Sequence, residues 1–574
     1  MTRAIGRVRG LVLLAACGVV LQLGLVMLWT LSYQLSQQLT WTDLYLQQYP
    51  LIQQILQPLL NAGAAILPQV ATPRAPKELG PWFAPLTVGW AVSCLVASVG
   101  YLGALWLLQR LQPSRASLLL IGAFEVLFVF TAFSAPGLLS QDIFGYLMYG
   151  QIGELHQLNP YIWPPSAFVR DDLLAWVAPI WRSLPSPYGP VWTDVNWLIA
   201  HPVHNWTIVE QVFAYKAFAV GLFAATLGML WYLLGKLAPH GRVVALTAFA
   251  WNPLVLMETV GNGHNDALVL TFLIAGLIPL AASVPRARPR VVDPALLAAA
   301  VLLLVSGLVK YLSAVAGVFL VVGWLRLLPD WRRRALQLGI VGVVCAAVTV
   351  ALFAPWLELP DSLDPILRQT GGNLYANAVP DLLSLTIADD VLSTHAPLSV
   401  ARDEARTAMK ALVDAIFLLY LIWEMRQVWL SAAGGRRAAL MSVIRASARA
   451  TLVIILVVSI WVQPWYFVLP LGLALLLGVR TLLAKISIGY TLTALAAMYV
   501  HYYLQDAVSS AIFLVYAGLP LLLAIPELLG RRDRPRLRVG LVDERRQTLV
   551  ANAPTRAAVA ELDLRVSDDR AISS

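Results

Sequence analysis

Residues 117–161 read SLLLIGAFEVLFVFTAFSAPGLLSQDIFGYLMYGQIGELHQLNPY. Roughly the first twenty are apolar apart from Glu125, the length at which a helix crosses the bilayer's hydrocarbon. At Ser140 the character changes. Gln141, Asp142, Glu154, His156 and Asn159 appear among Tyr, Gly and Pro. The reading is a membrane helix that delivers a polar, aromatic loop to one side of a bilayer. The loop runs on through Tyr161, Asp171 and Asp172 to SPYGPVWTDVNW at 186–197, which holds Tyr188, Trp192 and Asp194.

The rest of the chain repeats this alternation. Of 574 residues, 59% are hydrophobic and 13% charged, and the mean hydropathy is +0.71. Such runs mean membrane helices rather than a soluble core. The net charge of +9 does not call for a nucleic-acid partner. The Arg and Lys residues cluster in short connections between spans, the pattern of cytoplasmic loops. Cys17, Cys94 and Cys345 all fall in apolar spans and offer no disulfide framework. No Gly-rich nucleotide loop is present.

The pattern predicts an all-α polytopic membrane protein, a bundle of about 14 transmembrane helices with both termini cytoplasmic. Residues 1–31 form the N-terminus and first span. Residues 32–82 form an external segment, in which Trp41, Leu44 and Tyr45 suit a membrane-surface helix or a cap packed on other loops. Residues 83–530 form the core, with outer loops at 137–210 and 356–405, and 531–574 form a cytoplasmic tail. Spans are expected near 83–108, 117–136, 212–235, 243–260 and 267–283. The run 294–327 is too long for one span and divides at Lys310-Tyr311. Further spans follow near 337–355, 408–428, 450–463, 464–479, 486–503 and 511–529. An inner loop carrying Arg436, Arg437, Arg445 and Arg449 separates two of them.

On this topology the polar motifs share the outer side. They are Asp142, Glu258 with GNGHND (261–266), Lys310, Arg368, and QPWY (463–466). A transporter more often sets its polar groups at mid-membrane on broken helices. Polar groups ringing one face suit chemistry on a lipid-linked substrate, with its tail in the bilayer and its head group among the loops. Sugar transfer from a lipid phosphate needs a base for the attacking hydroxyl, a cation or N–H groups for the phosphate, and aromatic and hydrogen-bonding walls for the sugar.

Asp142 is the candidate base; its structural alternative is capping the helix that follows. Lys310, Arg368, Asn262, His264, Asn265, Asp266 and Glu258 are candidates to hold donor phosphate or sugar. Lys310 alternatively snorkels to the interface. Gln141, Tyr146, Asn159, Tyr161, Tyr188, Trp192, Gln463, Trp465 and Tyr466 are candidate wall residues, or packing and interfacial-belt residues. Metal ligation by Glu258, His264 and Asp266 is not favoured, since no second His or Cys stands nearby. No cofactor is expected.

The ordered motifs SQDIFGYLMYGQIGELHQLNPY (140–161), PSPYGPVW (185–192), WNPLVLMETVGNGHNDALVL (251–270), VKY (309–311) and QPWY (463–466) resemble the bacterial polyprenol-phosphomannose-dependent mannosyltransferases of the glycosyltransferase C superfamily. The resemblance implies a base in the first outer loop, the place Asp142 occupies. Where many relatives have paired acids, this chain has Gln141. It further implies a polyprenyl-phosphate sugar donor, a glycan or lipoglycan acceptor, and inversion at the anomeric carbon, giving an α-mannoside. The setting implied is the outer face of a bacterial cytoplasmic membrane. Transfer of another lipid-linked sugar, such as glucose or arabinofuranose, and a lipid-linked glycan flippase are the alternative readings.

Overall fold

A computed structural model describes residues 6–35, 39–66, 83–135, 138–285, 292–363, 378–394, 397–504, 516–523 and 525. The described residues are helical, with no strand among them. Eight helices are long and apolar enough to cross a membrane: Arg7–Ser32, Thr87–Leu108, Arg115–Phe133, Ile208–Leu237, Asp266–Ser283, Trp331–Trp356, Arg436–Val458 and Leu482–Tyr499.

The expected count of 14 is not reached on length and composition, for identifiable reasons. The span expected at 243–260 is a pair, Pro239–Ala250 and Pro253–Gly261, bent by 48°. Pro253 has no N–H to continue the first helix, and the Asn252 side chain accepts from the N–H groups of Leu254 and Val255, starting a new one. The run 294–327 divides at Lys310 as expected, into Pro294–Val309 and Tyr311–Leu325, but both halves are short, as is Pro464–Leu476. The helix over 408–428 is longer than expected, Leu398–Ala432. Arg402, Glu404, Arg406, Lys410 and Asp414 make its first half polar. Most of the last expected span, and the tail over 531–574, lie outside the described residues.

Three loops differ from expectation. The stretch 137–210 contains the helices Asp142–Glu154 and Pro190–Val203, and the stretch 356–405 contains the helix Val379–Asp390 and the start of Leu398–Ala432. The inner stretch with Arg436, Arg437, Arg445 and Arg449 is not a loop but the helix Arg436–Val453. The chain reverses in a tight turn before it, at Gly435 with φ +95°, a conformation glycine adopts without steric cost.

Close packing sets the frame. The helices Arg7–Leu35 and Phe83–Leu108 meet at Gly24 against Ala97 and at Gly100 against Leu21, with no space for a Cβ at either glycine. The Tyr101 hydroxyl donates to the Ala248 carbonyl at 2.6 Å. Asn252 Nδ2 donates to Thr491 at 2.8 Å and to Tyr101 Oη at 3.3 Å. These bonds tie the broken helix to Phe83–Leu108 and to Leu482–Leu504.

Helix ends sort into two groups. Arg436 pairs with Asp293 at 2.7 Å and donates to Ser283 at 3.1 Å; Arg437 donates to the Lys236 and Leu237 carbonyls. These contacts gather one set of ends. The opposite ends, at 142, 258–266, 310 and 463–466, gather around a polar cluster.

In the segment expected to be a surface helix or a cap, Trp41 and Tyr45 are buried and Leu44 is exposed. Trp41 sits edge-on to Phe144 at 5.5 Å. Tyr45 reaches the Ser134 carbonyl at 3.4 Å. For these residues the cap is the arrangement found.

Candidate active site

Asp142 is the first residue of the helix Asp142–Glu154. Gln141 holds the cap position without a side-chain cap bond, so Asp142 is not the cap. Its carboxylate lies at the positive end of that helix and is 16% exposed. Burial pushes it above the ordinary carboxylate range, while His264 and Lys310, and the Trp181 side chain by a hydrogen bond, pull it back.

The broken helix supplies the facing groups. Its second half is a π-helical turn, Leu256–Gly261, of the kind that recurs at functional sites. Glu258 is fully buried on it. Glu258 Oε1 accepts from the Tyr499 hydroxyl at 2.5 Å, and Oε2 accepts from Asn262 Nδ2 at 2.9 Å. Asn262 Oδ1 in turn accepts from the Leu139 N–H at 3.0 Å, fixing the segment that leads into Asp142. Gly263, at φ +67°, turns the chain so that His264 enters the cluster.

The His264 ring lies between two carboxylates. Nδ1 is 3.8 Å from Asp142 Oδ2 and Nε2 is 3.3 Å from Glu258 Oε2. The ring stacks on Trp465 at 3.6 Å with a 16° interplanar angle. Next to it Asp266 begins the helix Asp266–Ser283, with Asn265 in the cap position making no side-chain cap bond. Both polar atoms of the Asn265 side chain and Asp266 Oδ1 are buried without a hydrogen-bond partner. Lys310, at the break in 294–327, reaches Asp266 Oδ2 at 2.8 Å and lies 4.2 Å from the Tyr466 ring centroid. Lys310 therefore faces the cluster rather than snorkelling away from it.

Tyr146 stands edge-on to Tyr188 at 5.4 Å. Trp192 stands edge-on to Tyr146 at 5.0 Å. Tyr188 precedes Gly189, whose N–H donates to the Val309 carbonyl at 3.2 Å, docking the PYGP turn beside Lys310. Tyr161 donates to the Tyr188 carbonyl at 2.9 Å and so braces that turn. Gln463 is buried just before Trp465.

Asn159 lies elsewhere. Its Nδ2 donates to the Trp356 carbonyl at 2.7 Å and to Glu358 at 3.1 Å, stapling the stretch 137–210 to the start of the stretch 356–405. Asp194 accepts from the Trp356 indole at 2.7 Å. Arg368 lies outside the described residues. Tyr499 and Trp181 were not singled out from sequence. Tyr499 is 241 positions from Glu258, inside an apolar helix, and nothing local marks it. Among the described residues no group of three His, Cys, Asp or Glu side chains has an arrangement suited to a metal ion.

Residues 54–326 match the family described as alpha-(1->6)-mannopyranosyltransferase, N-terminal domain. That range contains Asp142, Glu258, His264, Asp266 and Lys310. Over that range the chain is similar to bacterial alpha-(1->6)-mannopyranosyltransferases. Alpha-(1->6)-mannopyranosyltransferase B of Corynebacterium glutamicum is 26% identical over 351 residues, 58% of this chain and 54% of that relative. Alpha-(1->6)-mannopyranosyltransferase A of Mycobacterium tuberculosis is 24% identical over 398 residues, 64% of this chain and 67% of that relative. A probable alpha-(1->6)-mannopyranosyltransferase of Mycolicibacterium smegmatis is 28% identical over 166 residues, 28% of each chain. The chain thus covers about half the length of the first of these relatives. No solved structure matches it.

Proposed function

We propose that this protein transfers mannose from a polyprenyl-phosphate donor to a hydroxyl of a glycan or lipoglycan acceptor at the outer face of a bacterial cytoplasmic membrane, with inversion. The observation that carries the reading is the convergence of Asp142, His264, Glu258, Asp266 and Lys310 at one end of apolar helices, in a relative of mannosyltransferases.

The acceptor oxygen attacks the anomeric carbon of mannose. The bond from that carbon to the phosphate oxygen breaks, and polyprenyl phosphate leaves with the electron pair. Asp142 takes the acceptor proton and releases it to water. Lys310, with Arg368, offsets the charge developing on the phosphate. Asn265 and Asp266 orient the head group, and Tyr146, Tyr188, Trp192, Trp465 and Tyr466 wall the sugar. A β-linked donor gives an α-linked product. The relatives' names make a 1->6 link the one to look for first.

Purified protein in lipid, given radiolabelled polyprenyl-phosphomannose and an α-mannoside acceptor, should form labelled product. Asp142→Asn should form almost none. Product only from a glucose or arabinofuranose donor would move the assignment to another sugar. No product from any donor, with labelled lipid crossing the bilayer, would replace it with a flippase.

A further inference from the structure

His264 is one of the sequence candidates for donor binding, but its surroundings assign it differently. The side chain is 1% exposed. Each ring nitrogen faces a carboxylate, one face of the ring is covered by Trp465, and the segment that carries it turns at Gly263. Glu258 is fixed in turn: both of its oxygens accept bonds, from Tyr499 and Asn262, and Asn262 also holds the Leu139 N–H. The charged and titratable groups about the ring are Asp142, Glu258 and Asp266, with Lys310, Tyr146 and Tyr466 around them and Tyr499 behind Glu258.

We propose that His264 is a positioning residue for Asp142: its buried ring nitrogens, neither of them hydrogen-bonded, stand 3.8 Å from Asp142 and 3.3 Å from Glu258, and Trp465 stacks on the ring. The proposal rests on Asp142 being the base. Glu258, Asn262 and Tyr499 then form an outer layer that ties the base to the Leu482–Leu504 helix. A rigid supporting layer of this kind sets the geometry of the reacting group, and displacing that group by about 1 Å costs on the order of 100-fold in rate. His264 also opposes the effect of burial on Asp142.

The test compares His264→Gln, His264→Asn, Glu258→Gln and Asp142→Asn in the transfer assay, each checked for monodispersity and thermal unfolding. The Asn amide nitrogen falls near the place of Nδ1 and the Gln amide near that of Nε2. Expected for His264→Gln is a fall in kcat of about 100-fold, with the donor KM within about twofold and the acid limb of the pH–rate profile moved to higher pH. His264→Asn should recover part of that kcat. Glu258→Gln should lower kcat with the donor KM unchanged. A raised donor KM at unchanged kcat would make His264 a donor ligand and overturn the proposal. So would equal losses in both His264 variants with the pH profile unmoved, which is what a packing role alone produces. Activity retained by Asp142→Asn would instead remove the base assignment itself, whatever the His264 variants do.

Discussion

As the proposed base, Asp142 joins two demands in one carboxylate: it would have to be ionised to accept a proton, and it is largely buried. Burial raises it above its ordinary value of 3.8. A raised base is lost as pH falls through the raised value, so kcat/KM should decline on the acid side above the ordinary carboxylate range. A pH–rate profile of the wild type measures this. Replacing Asp142 by Asn removes the proposed base and should cost about 10²–10⁴ in kcat. Lys310→Met should cost about 10²–10³ in kcat, since the Lys310 ammonium is the described cation nearest Asp266. Unchanged kcat in Lys310→Met would take the phosphate role away from it. That Asp142 and Lys310 stand at helix ends beside apolar runs was legible from the sequence, and the structure brings both to one cluster. That Tyr499 holds Glu258 was not legible, because Tyr499 comes from a distant part of the chain.

Among the elements, the broken helix does most to build the site. Asn252 ends one half, caps the next and bonds two neighbouring helices. Asn252→Ala should therefore destabilise the protein by about 1–2 kcal/mol, read as a lowered thermal midpoint in detergent. The docking of the PYGP turn is equally demanding. A Cβ on Gly189 would collide with the Leu308 carbonyl, and backbone cannot yield as a side chain can. Gly189→Ala should lower kcat by displacing Lys310, and should destabilise by about 1–3 kcal/mol. The split at Lys310-Tyr311 was legible because 294–327 exceeds one span. The bend at Asn252-Pro253 had its signal in the proline. The helical character of 436–449 was hidden by its arginines, which read as a loop until Arg436 is seen paired and buried.

Across the whole molecule, two polar groupings hold opposite ends of the helices in register. At the end away from the site, Arg436 and Asp293 pair with 7% and 4% of their side chains exposed. Arg436→Ala leaves a buried carboxylate unpaired and should cost about 3–5 kcal/mol. The double variant with Asp293→Ala should recover part of that, and a thermal-unfolding cycle measures the coupling. The proposed sidedness predicts that a single cysteine at exposed Val169 is labelled by an impermeant reagent from outside intact cells. One at position 240 should be labelled only after permeabilisation. The reverse pattern would place the site on the cytoplasmic face.

Hydropathy and charge placed most helices and grouped the polar motifs on one side, because crossing a bilayer demands long apolar runs and every turn shows as a break in them. The same physics made Asp142 and Lys310 conspicuous, since a charge beside an apolar span has few bland explanations. Contact between motifs far apart in the chain was decided by packing alone. His264 lies between Asp142 and Glu258 only because the π-helical turn, the left-handed Gly263 and the helix bearing Tyr499 meet there. Local composition carries no record of such meetings, because they arise from close packing of helices whose surfaces look alike in sequence.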